Sequence, residues 1–194
     1  MKKSIFSFAF LLVTLISTAQ IQPPLNLTWL SSKQTVANVV GASKQHSSET
    51  LSTNCSIVSY KDVNIGTRKY LLLMAFFYKN QLVKVSLMSD LVETWYDVKS
   101  DYNRICEAFV TKYGKSLLSN KIFTSPYEEG DGYEMQALRM KKLEMVSYWT
   151  DAYENYISVT LESSDSYGYF SIAYEHSKFG EYVDEIRALE ASDL

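Results

Sequence analysis

Cysteine and histidine are scarce in this chain, with two of each among 194 residues. So few soft ligands exclude the common multi-ligand zinc sites and any dense disulfide scaffold. Only 7 Gly and 3 Pro are present, which excludes collagen-like, low-complexity and linker-dominated chains. There is no basic run: 19 Lys+Arg stand against 22 Asp+Glu, a net charge of −3. Nucleic acid and anionic lipid both demand clustered Lys/Arg, so neither is an expected partner. G-x-G-x-x-G, Walker A and G-x-S-x-G are all missing, and with them the usual nucleotide cradle and nucleophile elbow.

Long apolar runs are missing as well. Residues 5–16 (IFSFAFLLVTLI) form a stretch of twelve residues, well short of the roughly 20 that a bilayer span requires. Lys2 and Lys3 precede it, and Ser17-Thr18-Ala19 follows with small residues at the −3 and −1 positions of a signal-peptidase site. This is the pattern of a cleaved export signal over residues 1–19, with Gln20 as the new N-terminus. The mature chain is then expected to be periplasmic or secreted and to have no membrane span. Cleavage removes two lysines and no acid, so the charge moves from −3 to −5. Export also places Cys55 and Cys106 in a compartment that permits disulfides. Bridged, they would close a loop worth about 4 kcal/mol in the chain-entropy model. As free thiols they would be two small buried apolar residues. Both readings stand.

What the chain does have is apolar periodicity and tyrosine. Residues 20–194 read as a single α+β domain. A first helix is expected near Ser31, with Gln34 at capping-box spacing, Val36, Val39 and Val40 as its apolar stripe, and Gly41 as its end. Residues 42–53 read as a polar loop. Strands are expected at Ile57–Tyr60, Lys69–Lys79 and Leu82–Met88, the last two joined at Lys79-Asn80-Gln81 as a hairpin. Val98, Tyr102, Ile105, Cys106, Phe109 and Tyr113 recur at helical spacing up to Gly114. Residues 115–135 read as a variable loop, 137–149 as a long strand bulged near Lys141-Lys142, and 155–162 and 167–175 as a hairpin turning at Asp165-Ser166. Residues 179–190 close the chain as an amphipathic helix. The expected architecture is an antiparallel sheet with helices packed on one face, in the order α-βββ-α-βββ-α. Residues 27–88 and 94–175 suggest two tandem α-βββ units.

Three segments carry a family likeness. Trp29-Leu30-Ser31-Ser32-Lys33-Gln34-Thr35-Val36, closing at Gly41, resembles the opening helix of small exported bacterial helix-plus-meander modules. Phe77-Tyr78-Lys79-Asn80-Gln81-Leu82 is similar to their hairpin, and Lys112-Tyr113-Gly114 to the helix ending that opens a second copy. Two such groups are the β-lactamase-inhibitory-protein-like proteins and the small lipoprotein subunit of the outer-membrane barrel-assembly machinery. The lipid-bearing Cys of the latter is absent. The resemblance implies the fold and an exported binding role, and it carries over no site.

Candidate chemistry is sparse. His46 and His176 each lack a second ligand at i, i+4, so no metal site is expected. Glu128, Glu129, Asp131 and Glu134 surround Gly130 and Gly132, a combination that could turn around calcium, but their order does not match an EF-hand loop. Residues 181–194 hold five acids (Glu181, Asp184, Glu185, Glu190, Asp193) against Arg187 alone. The 15 tyrosines are the better clue. Strand alternation turns Tyr156, Tyr167 and Tyr169 outward, opposite Ile157/Val159/Leu161 and Phe170/Ile172/Tyr174. They would form an aromatic patch with hydroxyl handles, suited to protein or glycan recognition, or a set of cross-strand pairs that stabilises the sheet. The expectation is a non-enzymatic exported protein, without cofactor, that binds an envelope or extracellular protein through its sheet. The alternative is an enzyme or inhibitor whose site forms only in three dimensions.

Overall fold

The computed structural model describes residues 19–192. The export signal read over residues 1–19 therefore lies outside the described residues apart from Ala19. The protein is α+β, and its described residues form one eight-stranded antiparallel sheet and four α-helices. α1 (Lys33–Val40) leads into β1 (Gln45–Thr50), β2 (Cys55–Ile65), β3 (Arg68–Tyr78) and β4 (Gln81–Met88). α2 (Trp95–Tyr113), β5 (Leu118–Phe123) and α3 (Glu134–Arg139) follow, then β6 (Leu143–Thr150), β7 (Tyr156–Ser164), β8 (Tyr167–Glu175) and α4 (Phe179–Ser192). Spatially the strands run β1-β2-β3-β4-β8-β7-β6-β5. Two four-stranded meanders thus meet along β4 and β8, where Lys84 pairs with Glu175 and Leu87 with Ile172.

The expected order needs three corrections. β1 lies within the segment read as a loop, because its sequence, QHSSET, is polar and every residue is exposed. β5 lies within the segment read as variable. Residues 137–149 do change phase at Lys141-Lys142, but the change is from helix to strand: α3 ends, Lys141 takes φ +55°, and β6 begins. The capping of α1 is also shifted by one residue. Ser32 is the N-cap and its hydroxyl accepts from the Thr35 amide at 3.2 Å, while the Ser31 hydroxyl donates to the Thr28 carbonyl at 2.8 Å.

One face of the sheet, here the inner face, carries α1, α2 and α3. Val36 and Val40 of α1, Val98, Tyr102, Phe109 and Tyr113 of α2, and Ala137 and Leu138 of α3 share a continuous core with Leu73, Ala75, Phe77, Val85, Leu87, Ile157, Val159, Phe170 and Ile172. Each fully buried side chain of this size contributes about 1.5–3 kcal/mol. Because this core draws on both meanders, neither half has a separate interior. One-sided packing fails only for α4. Its Tyr182, with Phe179, Val183 and Ile186, packs on Cys55, Phe76, Tyr78 and Val83, which point to the other, outer face. That explains why β3 is apolar along both sides: Ala75 and Phe77 enter the main core while Phe76 and Tyr78 lie under α4. Among the described residues no helix is long and apolar enough to cross a membrane.

Candidate functional site

The outer face is half covered. α4 seats itself with an aromatic cluster: Phe76 meets Phe179 at 6.1 Å and Tyr182 at 5.9 Å, and Phe179 stacks on Tyr182 at 5.5 Å. Its middle is tied to the β1–β2 turn. The Ser52 hydroxyl and the Asn54 side-chain amide both donate to Glu185, the latter at 2.9 Å. Those two bonds hold the Glu185 carboxyl below its usual range. At the seam, the Lys84 ammonium sits 4.5 Å from the Phe179 ring centre and pairs with Glu175 at 2.8 Å. Aromatic contact and ion pair together mark the boundary of the covered area.

Beyond that boundary lies the outer face of β5–β8. Tyr156 pairs with Glu175, and Tyr148 pairs with both Ser158 and Leu118. With Leu117 these residues line an open cleft of about 540 Å³. Tyr156 is 42% exposed, Tyr148 37% and Leu117 70%. At the other end of the same face, the Tyr169 hydroxyl donates to Glu162 at 3.0 Å and the Ser171 hydroxyl to the second Glu162 oxygen at 2.5 Å. Burial, together with the Glu162 charge, pushes the Tyr169 phenol up to about 12. Tyr167, partly exposed, pairs with Ser164 beside the turn.

The three tyrosines singled out from sequence therefore share one face but not one spot. Tyr156 stands opposite Glu175 and Tyr169 opposite Glu162; six positions at about 3.3 Å each separate them by about 20 Å. Tyr169 is fastened to its own strand pair. Tyr156 keeps company with Tyr148, a second-meander tyrosine not among the three singled out, and with Leu118. β5 offered no period-2 signal, because LSNKIF places its apolar residues at its two ends with Ser119, Asn120 and Lys121 between them.

No protein-family model, curated protein or solved structure matches the chain. Function must be read from geometry alone.

The other candidates of the sequence are occupied by structural work. In the acidic loop, Asp131 accepts from the Glu128 and Tyr133 amides at 2.9 and 2.7 Å, Glu134 accepts from the Gly130 amide at 3.0 Å, and Glu129 pairs with Lys121. These carboxylates build the turn. Among the described residues no group of three or more His, Cys, Asp and Glu is placed to hold a metal ion. His46 is exposed on β1. His176 packs its ring on Trp29 at 5.5 Å and accepts from the Lys178 amide at 3.1 Å through Nδ1; burial and the Lys178 charge lower its pKa. Cys55 and Cys106 are both free thiols. Cys55 is buried beneath α4 and Cys106 packs against the main core, so opposite faces of the sheet hold them. Burial raises both thiol pKa values.

A second cavity, about 570 Å³, opens between β3 and α2 and contains Arg68, Asp101 and Arg104. Arg68 grips both Asp101 oxygens at 3.1 and 3.2 Å and lies 5.2 Å from the Phe170 ring centre. Arg104 reaches the same carboxylate at 2.5 Å. One carboxylate thus engages both guanidinium groups. This geometry braces α2 against β3 and sets no nucleophile beside a base.

Proposed function

We propose that this is an exported, non-enzymatic protein that recognises another protein of the cell envelope or exterior through the outer face of β5–β8. The observation that carries the reading is the unequal covering of one sheet face. α4 shields Phe76 and Tyr78 on the first meander, while Tyr148, Tyr156 and Tyr167 on the second keep more than a third of their surface. Tyrosine offers a large rigid contact area at low entropic cost, with a hydroxyl to direct it, and is enriched in recognition surfaces for that reason.

The same reading treats α1 with β1–β4 and α2 with β5–β8 as two copies of one helix-plus-meander unit. Support comes from tight turns at corresponding places, Lys79-Asn80 and Asp165-Ser166, each joining the last two strands of its half and each opening on a residue at φ +49°. It also keeps the resemblance to the β-lactamase-inhibitory-protein-like modules as a proposal about fold and binding role.

Site-specific photo-cross-linking tests the reading. A photoreactive aromatic at position 156 or 167 is expected to give one discrete adduct in envelope extract. The same group at position 96, where Tyr96 of α2 is 78% exposed, is expected to give none. The adduct from position 167 should vanish in Y148S/Y156S protein whose circular dichroism is unchanged. Identical adducts from positions 96 and 156 would refute the proposal.

A further inference from the structure

The sheet ends in two free edges of opposite character. β1, at one edge, is polar throughout, every residue is exposed, and its pairing with β2 slips between Gln45 and Ser47. Polar side chains and a bulge are the usual means by which a sheet edge resists further pairing. β5, at the other edge, has polar residues only at its centre, Ser119 to Lys121, and no bulge. Its register with β6 runs unbroken from Leu118↔Tyr148 to Phe123↔Leu143. On its outer face Leu118 is 44% exposed and Ile122 50%. Its one charged residue, Lys121, pairs with Glu129 of its own chain.

The composition of β5 also specifies what fits it. In an antiparallel pairing of two copies centred on Asn120, Leu118 of one chain lies opposite Ile122 of the other, and Ser119 opposite Lys121. Apolar faces apolar, hydroxyl faces ammonium, and no like charges meet. Cross-strand pairs of this kind stabilise a sheet, whereas opposed like charges destabilise it.

We infer that two copies of this chain associate edge to edge through β5, in a two-fold antiparallel register centred on Asn120. The two sheets become one, and Leu118, which flanks Tyr148 within each copy, is covered by Ile122 of the other. The cleft of Leu117, Leu118, Tyr148 and Tyr156 then comes to lie beside its own symmetry mate. The association does not depend on the proposed recognition of an envelope partner, because it needs the mature chain alone.

Sedimentation velocity of the purified mature protein tests it over a broad concentration range, with circular dichroism as the check on folding. The wild type is expected to sediment as a dimer that dissociates on dilution. L118K/I122K places lysine opposite lysine and should be monomeric at concentrations where the wild type is dimeric. L118E/I122K keeps the same change at 122, where the lysine also faces Glu144 of its own chain, and places glutamate opposite lysine across the interface. It should dimerise again, more weakly as salt is added. A wild type that is monomeric throughout overturns the inference. So does equal behaviour of the two charged variants, since a different register or a different edge would not distinguish them.

Discussion

Replacing Asp151 by Asn should loosen the N-terminal arm from the body of the protein. Asp151 is 8% exposed and its carboxylate meets four N–H groups. One oxygen accepts from the Ile21 amide at 2.7 Å and the Asn155 side chain at 3.0 Å; the other accepts from the Tyr153 and Asn155 amides at 2.8 and 3.0 Å. Ile21 is fully buried and its carbonyl receives the Trp29 indole at 2.8 Å, so this carboxylate joins the start of the described chain to the β6–β7 turn. An Asn amide turns one acceptor into a donor and leaves two N–H groups facing it. Hydrogen bonds to a charged group are worth about 1.5–3 kcal/mol, and an orphaned buried donor costs about 1–3. D151N should therefore lose about 2–3 kcal/mol in urea unfolding at neutral pH.

The pH dependence gives the sharper check. Burial by itself would raise this carboxyl, but the bonds from Asn155, Ile21 and Tyr153 outweigh it, and the folded pKa is lowered. A lowered folded pKa means stabilisation that is present above the unfolded value and lost as pH falls through the folded one. The gap between wild type and D151N should then be full at pH 7 and shrink once the pH drops below the unfolded carboxyl value of about 3.9. A gap under about 0.5 kcal/mol at pH 7, typical of an inert surface site, would refute the reasoning. So would a gap that stays constant into acid.

Loss of the Glu185 tether should loosen α4 from the β1–β2 turn. E185A is expected to speed labelling of Cys55, which α4 covers, and to leave the Cys106 rate unchanged; equal acceleration of both thiols would point to global opening instead. The hydroxyl of Tyr182 is buried without a partner, so Y182F should be neutral or stabilise by up to about 1 kcal/mol in thermal unfolding, the reverse of what removal of a satisfied hydroxyl does. A Cβ at Gly168 would lie 3.2 Å from Met135 Cε and from both Val98 γ-carbons. G168A should accordingly cost about 1–3 kcal/mol by overpacking, measured by chemical denaturation.

Elements whose one face is buried were legible in the amino-acid pattern. The stripe Val98, Tyr102, Phe109, Tyr113 marks the buried side of α2, and Ile157, Val159 and Leu161 mark that of β7. Edge elements were not legible, because β1 has solvent around every residue and carries no apolar alternation to read. α3 was hidden for a different reason. It is a helix of 6 residues, under two turns, and too short to display a period of its own. The outward direction of Tyr156 and Tyr169 followed from strand alternation alone. Their separation into two groups depended on register, which no local pattern contains, and Tyr148 and Leu118 join Tyr156 only because β5 and β6 pair alongside β7.

The β4·β8 seam has a consequence for how the chain reaches this structure. The middle of the sheet is formed by Gln81–Met88 and by Tyr167–Glu175, the last strand in the sequence. A growing chain can close the β1–β4 meander early, yet the meander's inner edge waits for a partner that arrives almost at the end. Pairings so distant in sequence must meet loop-closure entropy before any contact rewards it, and they slow folding. Completion of the central ladder is therefore expected to come late and to slow folding. Until it occurs, β4 is paired with β3 alone, and its open edge is the segment most in need of shelter from other chains.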